Sequence, residues 1–219
     1  MNDQLILKFP THQTYKKEDF YVSPSNQEAY DFINSWPKWI KRIVNIFGPS
    51  GSGKSHLTSI LKRKTQCLLV DSNKLSEKIF LKFKTKEALV IENLNDSVSE
   101  KLLFSLWNIA LQDNKYVLIT SRRPVSEYKF KLRDLRSRVN SSLIIGINLP
   151  SDDLISVILA KNFSDKQIKV EKKHIDYIIK RIDRSYEKIS QFILTLDKYS
   201  LTKGSPFTLK LIKEVLKMI

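Results

Sequence analysis

The stretch IVNIFGPSGSGKSHLTSILKR (43–63) constrains this chain more than any other. IVNIF (43–47) is a short, β-branched apolar run that reads as a strand. SHLTSILKR (55–63) has helical spacing. Between them, GPSGSGKS (48–55) fits the spacing G-x-x-x-x-G-K-[ST]. Gly48 and Gly53 permit backbone conformations that side chains block, so amide groups can turn inward toward phosphate. The N-terminus of the following helix adds its positive dipole end. Lys54 is placed to reach β/γ oxygens, and Ser55 offers a hydroxyl to Mg²⁺. The alternative is a glycine-rich turn of no function; a strand before and a helix after argue against it.

The pattern continues as strand and helix in turn. CLLV (67–70), EALVIEN (87–93), KYVLITS (115–121) and SLIIGINL (142–149) read as four further strands. Their near-continuous hydrophobicity is that of an α/β protein whose parallel sheet is buried on both faces. Ser97 and Glu100 form a capping-box signal ahead of KLLFSLWNIAL (101–111). After Leu149-Pro150 the character changes. SDDLISVILAKNF, KKHIDYIIKRI, YEKISQFILTLDKYSL and FTLKLIKEVLKMI show 3.6-residue periodicity, which predicts a small helical domain over 151–219. The main domain is expected over 13–150, with residues 1–12 as an extended tail.

Composition narrows the class. Nothing approaches 18 consecutive apolar residues, so no membrane span is expected. The N-terminus has neither the basic flank nor the apolar length of a signal peptide. Cys67 is the single cysteine, which makes a cytoplasmic location the default. With three scattered histidines, it suggests no zinc site. The net charge of +15 is spread evenly: 24 Lys+Arg against 14 Asp+Glu in 1–150, and 14 against 9 in 151–219. Lysine outnumbers arginine 29 to 9, which fits a DNA-facing surface and an AT-rich genome equally well. Five of the nine arginines (Arg122, Arg123, Arg133, Arg136, Arg138) nevertheless fall within 17 residues. A planar fork suited to phosphate is concentrated there.

The acid that would partner the phosphate loop should end the third strand. Glu92 stands there and can accept from a magnesium-bound water; the bland alternative is an ordinary strand-end carboxylate. Asn93 follows, where a proton-accepting carboxylate would be needed to activate an attacking water, and an amide cannot take that proton. Nucleotide binding is therefore expected, and fast independent hydrolysis is not.

Taken in order, EDFYVSPSNQEAYDFI, GPSGSGKSHL, LVIENL, VLITSRRP and DLRSRV resemble the nucleotide-binding region of the bacterial replication initiator DnaA. The resemblance runs from about residue 4 to 219. No helix-turn-helix DNA-binding domain follows, and QLILKF (4–9) stands at the front. That combination resembles the Hda-type, DnaA-related AAA+ regulators of replication initiation. It implies an AAA+ P-loop domain, a five-stranded parallel sheet with helices on both faces, followed by a small helical lid. It implies ADP or ATP with Mg²⁺ as cofactors, the latter held by Ser55 and Glu92. Phe20, Tyr21 and Val22 would line the adenine pocket, with Asn26 nearby. Gly48 and the run Gly51, Ser52, Gly53, Lys54, Ser55 and His56 would hold the phosphates. Arg138, in LRSRV, matches the arginine finger that reaches a neighbour's nucleotide in trans; a surface residue on a basic helix is the alternative. Arg122 stands where the initiators carry an acidic residue or Asn, which puts γ-phosphate sensing by this position in doubt. Glu187 falls at the lid's sensor-2 arginine, leaving Lys188 or Arg184 as substitutes.

Three readings follow. The first is a regulator that docks on the DNA sliding clamp through Gln4, Leu5, Leu7 and Phe9. It would present Arg138 to ATP on DnaA and so limit initiation. The second is an initiator-like or loader-like protein contacting DNA through its basic surface. The third is a plain ATPase of the same fold. A homo-oligomer stays open. For the tail itself, Pro10 biases Phe9 toward extended backbone, as a groove-binding peptide requires; an edge strand or intramolecular packing is the alternative.

Overall fold

A computed structural model describes residues 20–165, 170–203 and 208–219. The QLILKF tail, its expected boundary at residue 12 and the expected domain start at 13 lie outside the described residues. After α1 (Gln27–Asn34) the chain alternates strand and helix: β1 (Ile43–Phe47), α2 (Lys54–Lys64), β2 (Cys67–Asp71), α3 (Lys78–Lys84), β3 (Ala88–Leu94), α4 (Glu100–Gln112), β4 (Tyr116–Ser121), α5 (Arg133–Asn140) and β5 (Leu143–Gly146). The five strands form one parallel sheet in the order β2-β3-β4-β1-β5. β1 thus runs between β4 and β5, and the loop that leaves its C-terminal end opens beside the end of β4.

Alternation along the strands covers both faces. Ile43, Leu89, Ile91, Val117 and Ile119 pack with Phe83 of α3, Leu103, Leu106 and Trp107 of α4, and Leu135 and Val139 of α5. Val44, Ile46, Val90, Leu118 and Ile145 pack on the other face with Ala29 and Ile33 of α1 and Leu57, Ile60 and Leu61 of α2. Removing each such Leu or Ile side chain from water contributes about 1.5–3 kcal/mol.

The residues after 150 are helical wherever described: α6 (Asp152–Asp165), α7 (Lys172–Ile179), α8 (Tyr186–Lys203) and α9 (Leu209–Leu216). They bury a core of their own, with Leu159, Ile178, Phe192, Leu196 and Ile212 at its centre. Among the described residues, no helix is long and apolar enough to cross a membrane.

One local expectation is corrected. Ser97 does not cap α4. Its backbone N–H and hydroxyl instead close a turn on Asn95 Oδ1. Ser99 is the cap, its hydroxyl accepting from Leu102 N–H. Glu100 therefore sits in the first turn, and its carboxylate reaches away from its own helix. It accepts from the backbone N–H groups of Lys131 and Leu132 at 2.8–2.9 Å, which ties α5 to the start of α4. Those hydrogen bonds hold the Glu100 carboxyl below its usual range.

Candidate functional site

The loop between β1 and α2 is shaped by two glycines with positive φ, Gly51 at +78° and Gly53 at +90°. A methyl group added at Gly53 would come within 2.9 Å of Phe20 Cε2, so only glycine fits there on both counts. Lys54 opens α2 and turns back into the loop. Its ammonium donates to the carbonyls of Gly48 and Pro49, each at 2.7 Å, and meets Ser52 Oγ at 3.3 Å. Burial first, and the charge of Arg122 second, bring the Lys54 pKa down to about 8. A half-buried cation inside a ring of backbone dipoles, at a helix N-terminus, is a site suited to a polyanion.

Glu92 and Ser55 meet through Thr58. Thr58 Oγ1 lies 2.7 Å from Glu92 Oε1 and 3.0 Å from the Ser55 carbonyl, so the β3 carboxylate is tied to the first turn of α2. A carboxylate and a hydroxyl there are the hard oxygen donors that Mg²⁺ takes alongside waters. Asn93 turns the other way. It is exposed, adopts φ +57°, and its amide donates to Asp71 Oδ2 at 2.8 Å. This bond, then the Asn73 amide, hold the Asp71 carboxyl below its ordinary range.

Phe20 stacks on Tyr30 with centroids 5.5 Å apart and meets His56 edge-on at 5.2 Å. The aromatic group thus lies against Gly53, next to the loop. Tyr21 is exposed and Val22 half-buried. Asn26 is buried, and its amide is spent on the same segment: Oδ1 accepts from Ser23 N–H at 2.8 Å and Nδ2 donates to the Tyr21 carbonyl at 3.0 Å. Its geometry is that of a positioning residue.

The sequence reading missed Asn45. Its side chain, 1% exposed, donates to the Ile119 carbonyl and to Ser121 Oγ, and accepts from Val125 N–H. It locks the end of β4 to β1 across more than 70 residues, and a lone Asn in IVNIF was the only hint. The Gly48 amide adds a 3.1 Å bond to the Ser121 carbonyl. Of the next two residues, Arg123 pairs with Asp96 at 2.5 Å and stacks on Tyr128. Arg122 is exposed and, among the described residues, makes no hydrogen bond or ion pair. Further on, the Arg138 guanidinium lies over the Phe104 ring at 5.0 Å from its centroid. The two basic candidates of the helical region are engaged away from the loop: Arg184 pairs with Asp152 at 3.0 Å, and Lys188 donates to the Ile219 carbonyl.

The strand order, the glycine-rich loop and the acidic end of β3 define an AAA+ P-loop fold. No protein-family model matches the chain. The chain is 25% identical over 232 residues to the chromosomal replication initiator protein DnaA of Borreliella afzelii, covering 94% of this chain and 48% of the relative. It is 26% identical over 227 residues to DnaA of Nautilia profundicola, covering 93% and 52%. It therefore spans about half the length of the curated relatives it matches. Domain III of Thermotoga maritima DnaA superposes with a TM-score of 0.78 at 20% identity, covering 95% of this chain and 98% of that domain. AMPPCP-bound DnaA from Aquifex aeolicus superposes with 0.71 at 18% identity, covering 91% and 69%. The RuvB branch-migration motor of Thermotoga maritima gives 0.61 at 16% identity, covering 81% and 61%. In fold and in sequence the chain is similar to the AAA+ domain of these DnaA proteins.

Proposed function

We propose that this chain is an adenine-nucleotide-binding AAA+ protein of replication initiation that works as an Hda-type regulator. In that reading the 48–55 loop holds the phosphates of ADP or ATP. Phe20, Tyr21 and Val22 flank the base, and Ser55 with Glu92 holds Mg²⁺ through oxygen donors. The observation that carries nucleotide binding is Lys54 folded into a ring of loop carbonyls at the N-terminus of α2. The AMPPCP-bound relative of the same fold supports the choice of nucleotide. Lys54→Ala tests it: added ADP should raise the melting temperature of the wild type and not of the variant, because a ligand of the native state alone raises stability.

The regulatory part rests on the departure at Asn93, which puts an amide where a general base would stand beside Glu92, and on Arg138 as a cation offered to a partner. ATP on DnaA is then hydrolysed there, with this chain supplying the finger and the clamp supplying the docking point for Gln4, Leu5, Leu7 and Phe9. Hydrolysis of DnaA-bound ATP, measured with and without this protein and DNA-loaded clamp, tests that reading directly. A second reading, direct DNA contact, is favoured by one observation: a DnaA of this fold has been solved with AMPPCP and single-stranded DNA. Affinity for single-stranded DNA that falls steeply with salt would favour it over the first.

A further inference from the structure

We infer that the end of the sheet opposite the glycine-rich loop is a docking surface for single-stranded DNA, whose bases stack at Trp36 and Tyr116 and whose phosphates meet the lysines around them. The inference rests on the second reading above, direct DNA contact, and adds the surface that makes it.

Parallel pairing gathers four connections at this end. Glu87 N–H donates to the Gln66 carbonyl at 3.1 Å, Tyr116 N–H to the Glu87 carbonyl at 3.1 Å, and Val117 N–H to the Arg42 carbonyl at 2.8 Å. The segments 36–42, 62–66, 84–87 and 113–116 are thereby neighbours. Together they carry nine Lys and Arg against two acids, Glu87 and Asp113, where the whole chain carries 38 against 23. Three of the cations are oriented by backbone carbonyls. Arg42 donates to Asn114 at 3.0 Å, Lys115 to Lys84 and Lys86 at 2.9 and 2.8 Å, and Lys64 to Asn34 at 3.3 Å. Such bonds fix a charge in place without cancelling it. Burial raises the pKa of the Cys67 thiol at the head of β2, and the charges of Lys62 and Lys86 oppose that rise, so both reach this end as well. The helix dipole accounts for the basic last turn of α2. It does not account for WPKWIKR (36–42), which interleaves aromatic and basic residues between α1 and β1.

Aromatic rings accompany the charge. Trp36 and Tyr116 are half-buried and line a cleft of about 730 Å³ together with Lys64, Lys115 and the two acids. Their rings meet edge-on with centroids 4.7 Å apart. Behind them Trp39 is buried, its indole N–H donating to the Phe32 carbonyl at 2.9 Å and its ring edge-on to Trp36 at 5.0 Å. The Arg42 guanidinium lies over Tyr116, 4.4 Å from the ring centroid. The rings are thus held in place before a ligand arrives. Aromatic rings stack unpaired bases of any sequence, whereas a duplex keeps its base faces stacked on one another. A basic cleft with an aromatic lining therefore selects a single strand. Glu87, engaged by the Thr65 hydroxyl, and Asp113 repel phosphate, so the backbone of the strand follows the lysines and its bases face the rings. The glycine-rich loop leaves the other end of β1, about 17 Å away along its five residues, so nucleotide and DNA do not compete.

The test is fluorescence anisotropy of labelled oligo-dT across a salt series, with wild type and four variants. The first, Lys41→Gln with Lys62→Gln and Lys64→Gln, should lose about tenfold or more in affinity. Its slope of log affinity against log salt should flatten by about 2, at about 0.7 per lost phosphate contact. Trp36→Leu should lose about fivefold or more with the slope unchanged, and Trp36→Phe, which keeps a ring, should recover most of that loss. The fourth, Lys210→Gln with Lys213→Gln and Lys217→Gln on α9, removes the same charge elsewhere and should bind within about twofold of wild type. Melting curves check each fold. Lys41, Lys62 and Lys64 are exposed, so the first variant decides the matter even where Trp36→Leu melts early. Equal losses in the two lysine triples, or no loss in the first, overturn the surface while direct DNA contact stands. So does a duplex bound as tightly as oligo-dT, or oligo-U bound more tightly. Wild type that shows no salt-dependent binding of oligo-dT overturns the DNA reading and this inference with it.

Discussion

Tyr186 rests on Gly51: a methyl group built on the glycine would lie 3.1 Å from Tyr186 Cβ. The first residue of α8 therefore packs directly on the glycine-rich loop. Its phenol donates to the Asn148 carbonyl at 3.3 Å, just before α6 begins. Burial pushes the phenol pKa up, an effect the neighbouring Ser25 hydroxyl opposes. Gly51→Ala should pay twice, for a positive φ and for crowding against Tyr186. The φ alone costs about 1–2 kcal/mol. Chemical denaturation should show at least that loss, and Tyr186→Gly, which removes the crowding Cβ, should relieve the contact but not the φ. A Gly51→Ala protein as stable as wild type would mean the loop does not hold this conformation.

Asn45 is predicted to matter more than its place in an apolar strand suggests. Replacing it with Leu keeps the volume but strips partners from the Ile119 carbonyl, the Ser121 hydroxyl and the Val125 amide. Each buried group left unmet costs about 1–3 kcal/mol, so a loss of several kcal/mol is expected. Asn45→Asp should keep the Val125 bond and lose the donations to β4. Urea melts of the two variants check this; a loss below about 1 kcal/mol for Asn45→Leu would show that the site relaxes around it.

Lys54 gives the free protein a pH signature. Its folded pKa, near 8, lies below the ordinary 10.5. Below pH 8 both folded and unfolded chains carry the proton, and the folded state bears the full cost of the buried charge. Between 8 and 10.5 the unfolded chain binds more protons, so this residue makes stability rise with pH there. Lys54→Met removes the contribution. Without added metal or nucleotide, wild type should gain stability relative to Lys54→Met as pH is raised from 7 to 9.5. Polyphosphate affinity should run the other way, weakening as pH rises through 8 and the ammonium is lost. Parallel stability profiles for the two proteins would remove Lys54 as the titrating group.

Asn93 faces Asp71, and this predicts both a weak enzyme and a measurable titration. With an amide in place of a carboxylate at position 93, steady-state ATP turnover by the isolated protein should stay well below about 1 per second. Asn93→Asp replaces the donor to Asp71 with a second acid. The Asp71 carboxyl, now without its amide bond and beside a like charge, should titrate at higher pH than in wild type. Carbon-detected NMR titration reads this directly. An unmoved Asp71 would mean the Asn93 amide is not its partner in solution.

Much of this architecture was legible because it is local. The β1 run IVNIF matches its strand residue for residue, and Gly53 has the positive φ expected of it; the other positive-φ glycine is Gly51 and not Gly48, where an added methyl would instead meet the Ile147 carbonyl at 2.8 Å. β5 ends at Gly146, three residues before the apolar run does, because Ile147 only bonds back to the Phe47 carbonyl as the chain leaves the sheet edge. What sequence spacing could not carry is pairing across the fold. Thr58 reads as a neutral helix residue, yet it joins Glu92 to the turn of Ser55. Glu100 reads as half of a capping box, yet it serves amides 31 and 32 residues away. Each of these depends on which strand ends are neighbours, and periodicity along one strand does not encode that.

Arg138 lies in the last turn of α5, half-buried, with its guanidinium over Phe104 of α4. Glu100 fixes the approach of α5 to α4, so the stack is held from both sides. A guanidinium parked on an aromatic face keeps its N–H edge open, and the contact itself contributes only about 0.5–1 kcal/mol. That combination suits a group that acts on a neighbour's nucleotide without carrying its own fold. Arg138→Ala should therefore leave the melting temperature and nucleotide affinity of this chain nearly unchanged. Stimulated hydrolysis of DnaA-bound ATP should fall by about 10³–10⁵, the range known for arginine fingers. Phe104→Leu should reduce stimulation less, because it loosens the arginine and does not remove it. Glu100→Gln should weaken the tie between the helices and lie between the two. Single-turnover assays with DNA-loaded clamp separate these cases. If Arg138→Ala stimulates as wild type does, the arginine acts only as a brace between α4 and α5, and the finger must be sought among Arg133 and Arg136 on the exposed side of the same helix.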